Sequence, residues 1–376
     1  MNSLEQVLKC GQSIWLDSIS RDLINSGELQ RLVNEDHLSG LTRNPTIFEQ
    51  AITHGNSYDD ALRQLLSASS EQTEKSLFEA IAVEDIRMAA DVLRPVYEGA
   101  QGEDGFVSLE VSPHLAHDTN GSIAEARRLW KAVQRPNLMI KIPSTPEGIP
   151  AIEQLTSEGI NVNITLMFSL HHYATVARAY IDGLNRHTPS SSSSSASGGW
   201  PVSVASFFVS RIDTAVDKLL EKIGTPEALG LRGKIGIASS KLVYHRFQEI
   251  FHGDQFATLR NKGAHVQRPL WGSTGTKNPA YSDVLYIEQL IGPESVNTVP
   301  PKTLAAFRDH GHARETITEN VAQAEADIAQ LRHLSIDLDA ITVKLQDDGV
   351  DSFAKSYDTL LASLKAKRQE VAPAPA

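Results

Sequence analysis

Eight short apolar runs, separated by stretches of helical period, are the feature of this 376-residue sequence that most restricts its fold. Each run is long enough for one strand, and the stretches between them repeat apolar side chains at i, i+3 and i+4. This alternation predicts right-handed βαβ units and a parallel sheet. The eight predicted strands are Ser13–Asp17, Gly40–Asn44, Phe106–Val111, Asn137–Ile142, Asn161–Met167, Val202–Phe208, Lys234–Ala238 and Val266–Trp271.

The number of units favours an α/β fold with a single (β/α)8 TIM-type barrel. An open sheet that binds a dinucleotide would carry a glycine fingerprint after its first strand, and Asp17 is followed instead by Ser-Ile-Ser-Arg-Asp. We therefore interpret residues 1–376 as one barrel domain. Its predicted additions are a flexible Ser-rich loop over residues 188–199, C-terminal helices packed on the barrel over residues 313–368, and a loose tail over residues 369–376.

Composition excludes several classes of protein. The chain has 46 acidic and 35 basic residues, for a net charge of −11, and no dense Lys/Arg block, so we expect no nucleic-acid partner. No apolar run approaches the length of about 18 residues that a membrane span needs, so we expect no membrane partner. One cysteine, Cys10, excludes an internal disulfide, and the first residues lack signal-peptide features, which together predict a cytoplasmic protein.

Neither a metal nor a cofactor is indicated. The 13 histidines form no His-x-x-x-His or HExxH pattern, and no nicotinamide motif or Ser-His-Asp site is evident. A small anionic substrate remains possible, because a few well-placed cations can bind it despite the negative net charge. Both a monomer and a homodimer remain open.

Polar side chains are predicted to meet inside the barrel at the carboxyl ends of the strands. In the run Asn137–Pro143 the positions that alternate with Lys141 are all apolar and should face the helices, so Lys141 should face inward. The same alternation directs a further set of polar side chains inward, at the face where barrel active sites form. That set is Asp17, Thr42, Asn44, Ser108, Glu110, Asn161, Asn163 and Thr165.

Lys141 is therefore the candidate nucleophile. Burial disfavours the charged form of a lysine, and a neutral, desolvated amine forms Schiff bases with carbonyl compounds. Asp17 and Glu110 could move the protons that such chemistry requires. The alternative is that Lys141 only forms a buried salt bridge with one of these carboxylates. Two other lysines compete for the assignment: Lys234, predicted at the start of a strand, and Lys241, predicted at the surface.

A Gly-rich segment after the last predicted strand is a candidate phosphate site. The segment Trp271–Asn278 offers glycines, hydroxyl groups including that of Ser273, and the cation of Lys277. Arg211, just after the sixth predicted strand, could supply a second cation. An ordinary Gly-rich turn and a solvated arginine are the alternatives.

The motifs Gly40–Phe48, Asn137–Thr145 and Asn161–Ser169 resemble those of the transaldolases, a family of class I aldolases. Further matches are Ala205–Arg211 and Gly236–Tyr244. The likeness runs from about Ser13 to His312 and suggests the longer bacterial-type branch. It implies the pentose phosphate pathway of carbohydrate metabolism and transfer of a dihydroxyacetone unit from a ketose phosphate to an aldose phosphate.

The resemblance also implies a role for each matching residue. Lys141 is similar to the Schiff-base lysine, Asp17 to the acid/base that takes the C4 hydroxyl proton, and Glu110 with Thr165 to the pair that holds a catalytic water. The implied ligands of the dihydroxyacetone unit are Asn44, Asn163 and Ser206. Arg211 and Lys277 resemble the phosphate clamp, although an arginine is more usual at position 277.

Two alternatives to a transferase remain. A fructose-6-phosphate aldolase-type lyase would use the same Schiff base and release free dihydroxyacetone. The related aldolase branch has a tyrosine at the position of Phe208, so the phenylalanine favours transfer. A non-catalytic sugar-phosphate binder would be expected to lack Lys141 or Asp17, and both are present.

Overall fold

Eight parallel strands close into a barrel in which each strand pairs with its neighbours in chain order and β8 pairs with β1. The computed structural model describes residues 2–42, 45–68, 72–189 and 196–371. The strands are β1 (Gln12–Leu16), β2 (Gly40–Leu41), β3 (Phe106–Glu110), β4 (Leu138–Pro143), β5 (Val162–Met167), β6 (Ser203–Phe208), β7 (Gln267–Gly272) and β8 (Ser295–Val299). The predicted (β/α)8 fold is confirmed.

Helices surround the barrel and extend beyond it. A short 3₁₀ helix, Pro113–Leu115, follows β3. The α-helices are α1 (Ser3–Lys9), α2 (Arg21–Asn25), α3 (Glu28–Asp36), α4 (Pro45–His54), α5 (Asp59–Ala68), α6 (Glu74–Gly99), α7 (Thr119–Val133), α8 (Gly148–Ser157), α9 (Leu170–Arg186), α10 (Ser210–Ile223), α11 (Pro226–Leu229), α12 (Ile235–Phe251), α13 (Asp254–Asn261), α14 (Leu285–Gln289), α15 (Pro301–His310), α16 (Val321–His333) and α17 (Leu338–Val371).

Alternation along the strands separates two apolar cores. Leu138, Ile140 and Ile142 of β4 lie in the large core between the barrel and the helices. Met139 packs inside the barrel with a small second cluster that includes Trp15 and Phe106. Gly40 is needed beside this cluster, because a Cβ there would lie 2.4 Å from the Trp15 ring. Lys141 therefore faces the interior, as its parity predicts.

Of the last two strands predicted from sequence, the first is wrong, and the second is present but is the seventh strand of the barrel. Residues 234–238 do not form a strand: Lys234 is the N-cap residue of α12, and the apolar period continues through Val243, Phe247 and Phe251 into the core. Val266–Trp271 corresponds to β7, and the true eighth strand is Ser295–Val299. That strand escaped detection because Ser295, Asn297 and Thr298 interrupt its apolar pattern.

The C-terminal helices predicted from periodicity are present. Helix α16 packs against α12, and α17 packs against α4, α6 and α10. Helix α17 is 34 residues long and continues to Val371. The end of the predicted tail, residues 372–376, lies outside the described residues. Helix α17 also borders the carboxyl-terminal face of the barrel, so its side chains can reach a site at that face.

The Ser-rich segment joins α9 to β6, a connection that belongs to the end of a barrel opposite the active-site face. Residues 190–195 lie outside the described residues, whereas Ser197 is buried. Gly102 packs closely on this turn, since a Cβ there would lie 2.5 Å from the Ser197 backbone nitrogen. A replacement of the loop should therefore stop before Ala196.

We expect a short Gly-Ser linker in place of residues 190–195 to leave activity intact. The segment is low in complexity and its connection is remote from Lys141, so the melting temperature should change little and kcat/KM should stay near the wild-type value. Thermal unfolding and steady-state kinetics check this. A large fall in kcat/KM with an unchanged melting temperature would contradict it, because the segment would then have to act at the active site.

Candidate active site

Lys141 and Glu110 lie side by side on neighbouring strands. Glu110 ends β3 and is in register with Lys141 of β4. The Lys141 Nζ atom lies 3.5 Å from Glu110 Oε1, and the two side chains are only 8% and 16% exposed. The salt bridge considered from the sequence thus forms. It does not isolate the amine, because Lys141 also lines a large cavity at the carboxyl ends of the strands.

Asp17 approaches the same cavity from the other side of the barrel. It follows β1, where its backbone N–H donates to Val299 O at 2.9 Å. Its carboxylate accepts a hydrogen bond of 2.8 Å from the Thr42 hydroxyl, which is itself 2.7 Å from the Thr298 hydroxyl. The ends of β1, β2 and β8 thus orient this carboxylate toward the cavity that Lys141 lines.

A line of hydroxyl and amide groups crosses the barrel beneath the cavity. Ser206 donates to Asn163 Oδ1 at 2.7 Å, and Asn163 Nδ2 donates to Ser108 Oγ at 2.9 Å. Asn163 is also the register neighbour of Lys141 in β5. Its amide is therefore held in one orientation beside the lysine.

Thr165 lies two residues after Asn163 in β5 and is 1% exposed. Its hydroxyl has no hydrogen-bond partner among the described residues. A cavity of about 10 Å³, lined in part by Thr165 and Glu110, adjoins it. A single water needs about 10–15 Å³ by this measure, so the two side chains share a space of the size of one water molecule.

The main cavity measures about 610 Å³, which is enough for a sugar phosphate. It brings together seven of the eleven site residues predicted from sequence. These seven are Asp17, Lys141, Ser206, Phe208, Arg211, Ser273 and Lys277. Asn163 joins them through Ser206, Glu110 and Thr165 line the adjoining small cavity, and Asn44 lies outside the described residues.

One end of the cavity is cationic. Arg211 begins α10, with its guanidinium carbon 5.3 Å from the centre of the Phe208 ring, and burial lowers the pKa of this guanidinium. Lys277 is exposed in the segment after β7, which is the seventh strand and not the eighth. Among the described residues, no carboxylate pairs with either cation at ion-pair distance. Two cations that share a cavity without a carboxylate partner suit an anion.

Hydroxyl groups flank these cations. The Ser210 and Ser273 hydroxyls are 2.8 Å apart, and Ser273 adopts a left-handed conformation with φ of 55°. Such a φ is unfavourable for a residue with a Cβ and is found most often at functional or tightly constrained positions. The Gly-rich segment is therefore part of the cavity wall rather than an ordinary surface turn.

Two aspartates that the sequence analysis missed anchor α10 to its surroundings. Asp213 accepts hydrogen bonds from Gly236 N at 2.7 Å and from the Tyr286 hydroxyl at 2.7 Å. Asp217, one turn later, accepts a 2.6 Å hydrogen bond from the Tyr281 hydroxyl. Their i, i+4 spacing on the apolar face of a helix was the available signal. They fix α10, and with it Arg211, to the chain that follows Lys277.

Asp213 should make stability depend on pH. Burial raises the pKa of this carboxyl from 3.8 to about 6, so the folded protein binds its proton more tightly than the unfolded chain does. The contribution of Asp213 is thus most favourable below the unfolded pKa and is lost as the pH rises through about 6. Asp213→Asn cannot titrate; its Oδ1 can still accept from Gly236 N, and its Nδ2 would donate to the Tyr286 hydroxyl oxygen. We expect the wild type to gain about 2 kcal/mol of unfolding free energy relative to Asp213→Asn between pH 7.5 and 4.5. If chemical denaturation showed the same dependence of unfolding free energy on pH for the wild type and Asp213→Asn, this prediction would be wrong.

The two competing lysines lie away from the main cavity. Lys234 lies at the N-terminus of α12 and not in the barrel. Lys241 was expected at the surface, and this expectation was wrong: it is 5% exposed. Its Nζ atom donates to the carbonyl oxygens of Thr316 and Glu319 at 2.6 and 2.8 Å. It therefore binds the segment before α16 to α12, and neither lysine lines the main cavity.

Two further cavity residues were not anticipated. Thr298 was missed together with β8. Phe353 of α17 lies far along the chain, in a helix whose pattern indicated only packing, yet its ring centre is 5.4 Å from Lys141 Nζ. A sequence pattern does not identify which turn of an added helix will reach the barrel mouth, and no local signal marked this one.

Within the described part of the chain, no group of three or more His, Cys, Asp and Glu side chains could hold a metal. In the same residues, no helix has the length and apolar character of a membrane span. What the cavity offers chemically is a buried primary amine beside one carboxylate, a second carboxylate across from it, aligned amide and hydroxyl groups, and a cationic end. This set suits addition of an amine to the carbonyl group of a phosphorylated hydroxyketone or hydroxyaldehyde.

Comparisons with known proteins agree with this chemistry. Residues 14–364 match the family model described as transaldolase/fructose-6-phosphate aldolase. A transaldolase of Thiobacillus denitrificans is 47% identical over 97% of this chain and 100% of its own length. Transaldolase 2 of Streptomyces avermitilis is 44% identical over 99% of both chains, and a transaldolase of Mycolicibacterium smegmatis is 44% identical over 96% of this chain and 95% of its own. The chain belongs to the transaldolase/fructose-6-phosphate aldolase family.

Proposed function

We propose that the chain is a transaldolase that moves a dihydroxyacetone unit from a ketose phosphate to an aldose phosphate. The observation that carries the proposal is the position of Lys141, a buried amine that lines a cavity with a cationic end and lies 3.5 Å from Glu110. The ketose donors are sedoheptulose 7-phosphate or fructose 6-phosphate, and the acceptors are glyceraldehyde 3-phosphate or erythrose 4-phosphate. A cytoplasmic location fits the single cysteine.

Lys141 attacks the ketone carbon, and loss of water from the carbinolamine gives an iminium ion. Glu110 and Thr165 assist this step through a water, and the 10 Å³ cavity that both line supports the assignment. Asp17 then takes the proton of the C4 hydroxyl while the C3–C4 bond breaks and the iminium accepts its electron pair. Its hydrogen bond to Thr42 orients the carboxylate for this role.

The bound three-carbon unit is held by the amide of Asn163 and the hydroxyl of Ser206. Their mutual hydrogen bond of 2.7 Å fixes both groups beside Lys141. Asn44 is proposed as a third ligand from its motif alone. Arg211 and Lys277 hold the phosphate group, with Ser273 as a hydroxyl donor, and the absence of paired carboxylates on these cations in the described residues supports this.

A lyase that releases free dihydroxyacetone is the alternative. Phe208 favours transfer, because its ring lines the cavity without adding a hydroxyl group that could protonate the intermediate. The test is incubation with fructose 6-phosphate and erythrose 4-phosphate, followed by separate measurement of sedoheptulose 7-phosphate and free dihydroxyacetone. We expect sedoheptulose 7-phosphate to dominate. Dominant dihydroxyacetone would indicate the lyase, and neither product would refute both activities.

Removal of either cation should weaken the use of phosphorylated sugars only. A charge-assisted hydrogen bond is worth roughly 1.5–3 kcal/mol, so Arg211→Ala and Lys277→Ala should each raise KM for fructose 6-phosphate by about 10- to 100-fold. Turnover of unphosphorylated fructose should hardly change. The larger effect is expected at Arg211, which is more buried and can bind two oxygens. Equal losses on both sugars would show that the residues are structural.

A further inference from the structure

Phe353 is the one aromatic side chain among the described residues whose ring lies over both Lys141 and Arg211. Its ring centre is 5.4 Å from Lys141 Nζ and 5.8 Å from the guanidinium carbon of Arg211. The same guanidinium lies 5.3 Å from the Phe208 ring on the barrel wall. Phe353 therefore covers the reactive amine and also touches the cation at the anionic end of the proposed substrate.

Helix α17 is fixed to the mouth of the barrel one to two turns before this ring. Gln346 is buried, and its Nε2 atom donates to Ser144 Oγ at 2.9 Å and to Leu166 O at 3.0 Å. These acceptors lie at the ends of β4 and β5, where Leu166 has a left-handed φ of 63°. Gln346 thus fixes α17 to the irregular end of β5.

Packing of Gly349 against a side chain of β5 adds to this attachment. A Cβ at Gly349 would lie 2.8 Å from Leu166 Cδ2, so α17 contacts the Leu166 side chain at this position. Phe353 follows Gly349 by four residues and lies on the same helix face. Its ring is therefore held over the cavity by a rigid helix, and not by a loop that must close.

We propose that Phe353 is a specificity-determining residue that favours transfer over release of the three-carbon unit. This inference rests on the proposed function. The apolar ring beside the amine limits the water that can reach C3 of the bound three-carbon unit, and exclusion of water protects reactive intermediates from side reactions. The ring also faces the nitrogen that carries positive charge in the iminium form, which is favourable electrostatically.

The two fates of the intermediate differ in the electrophile that bonds to C3. After C3–C4 cleavage the unit is an enamine on Lys141. In transfer, C3 uses the enamine electron pair to bond the acceptor's aldehyde carbon, and the aldehyde oxygen takes a proton; in release, C3 takes a proton instead. Either way an iminium re-forms, water adds to its carbon, and the C–N bond breaks to return the amine. A cover that limits water at C3 slows only the second route.

The test measures the ratio of free dihydroxyacetone to sedoheptulose 7-phosphate formed from fructose 6-phosphate and erythrose 4-phosphate. We expect Phe353→Ala to raise this ratio by about tenfold or more, because the cover is lost. Phe353→Leu keeps apolar bulk and should stay near the wild-type ratio. Val343→Ala, on the same helix but 53% exposed, is the matched control and should leave the ratio unchanged.

The outcomes separate this inference from the proposed function. If the wild type transfers the unit but Phe353→Ala gives the same product ratio, the inference is overturned while the function stands. If Phe353→Leu releases as much dihydroxyacetone as Phe353→Ala, exclusion of water by apolar bulk is overturned as the cause. A wild type that forms neither product would instead refute the proposed function. If the alanine variant fails to fold, Phe353→Gln provides the reading: its polar side chain admits water beside the amine and should raise the ratio, and an unchanged ratio would overturn the inference.

Discussion

Replacement of Lys141 by methionine is expected to reduce kcat by at least about 10⁴-fold. The loss is this large because the variant cannot form the covalent intermediate, whereas loss of an acid/base group would slow only one proton transfer. Methionine matches the length and apolar stem of lysine, so the fold should tolerate it at this 7%-exposed position. Steady-state kinetics with fructose 6-phosphate and erythrose 4-phosphate, together with thermal unfolding, measure both effects.

Lys241→Met is the matched control. It also removes a buried ammonium, but one that donates to two backbone carbonyls remote from the cavity. Loss of these hydrogen bonds leaves polar groups without partners, which costs about 1–3 kcal/mol for each group. We expect this variant to melt at a lower temperature while kcat stays near the wild-type value. If Lys141→Met retained kcat, or if Lys241→Met alone lost it, the assignment of the nucleophile would be wrong.

Asp17→Asn and Glu110→Gln are expected to slow different steps, each by about 10²–10⁴-fold. The two carboxylates come from different strands, Asp17 from the end of β1 and Glu110 from β3, and Glu110 lies 3.5 Å from the amine. Asp17→Asn should still form the Schiff base with a ketose phosphate but cleave it slowly, so the covalent adduct should accumulate. Glu110→Gln should instead slow formation of the adduct itself.

Rapid-quench borohydride trapping separates these effects. Adduct level is measured against time after mixing with fructose 6-phosphate, at the same temperature for all three proteins. Asp17→Asn should reach a higher plateau than the wild type, and Glu110→Gln should approach its plateau more slowly. The same time course in all three proteins would rule out separate roles for the two carboxylates.

Sequence alone predicted the part of the site that depends on strand parity. Lys141 alternates with Leu138, Ile140 and Ile142, which pack on the helices, so its inward direction followed from local pattern. The directions of Asp17 and Glu110 followed in the same way. The barrel itself followed from the repeated βα alternation. These features are set by neighbours within a few residues, which is why periodicity captures them.

The features that were missed depend on contacts between distant segments. Strand β8 is half polar because its Thr298 hydroxyl faces Thr42, so its pattern did not look apolar. Lys241 is buried because Thr316 and Glu319 supply acceptors from a segment about 75 residues away. Phe353 reaches Lys141 only because Gln346 and Gly349 hold α17 against β4 and β5. None of these partners is visible within a local window.

Identification of the residue that bonds to the substrate tests most directly whether Lys141 is the nucleophile. The protein is incubated with fructose 6-phosphate, reduced with borohydride, digested, and its peptides are mapped by mass spectrometry. We expect a reduced three-carbon unit on the peptide that contains Lys141, and loss of tryptic cleavage after this residue. A label on Lys241 or Lys234 in its place, or no label in a protein that turns over the substrate, would show that Lys141 is not the nucleophile.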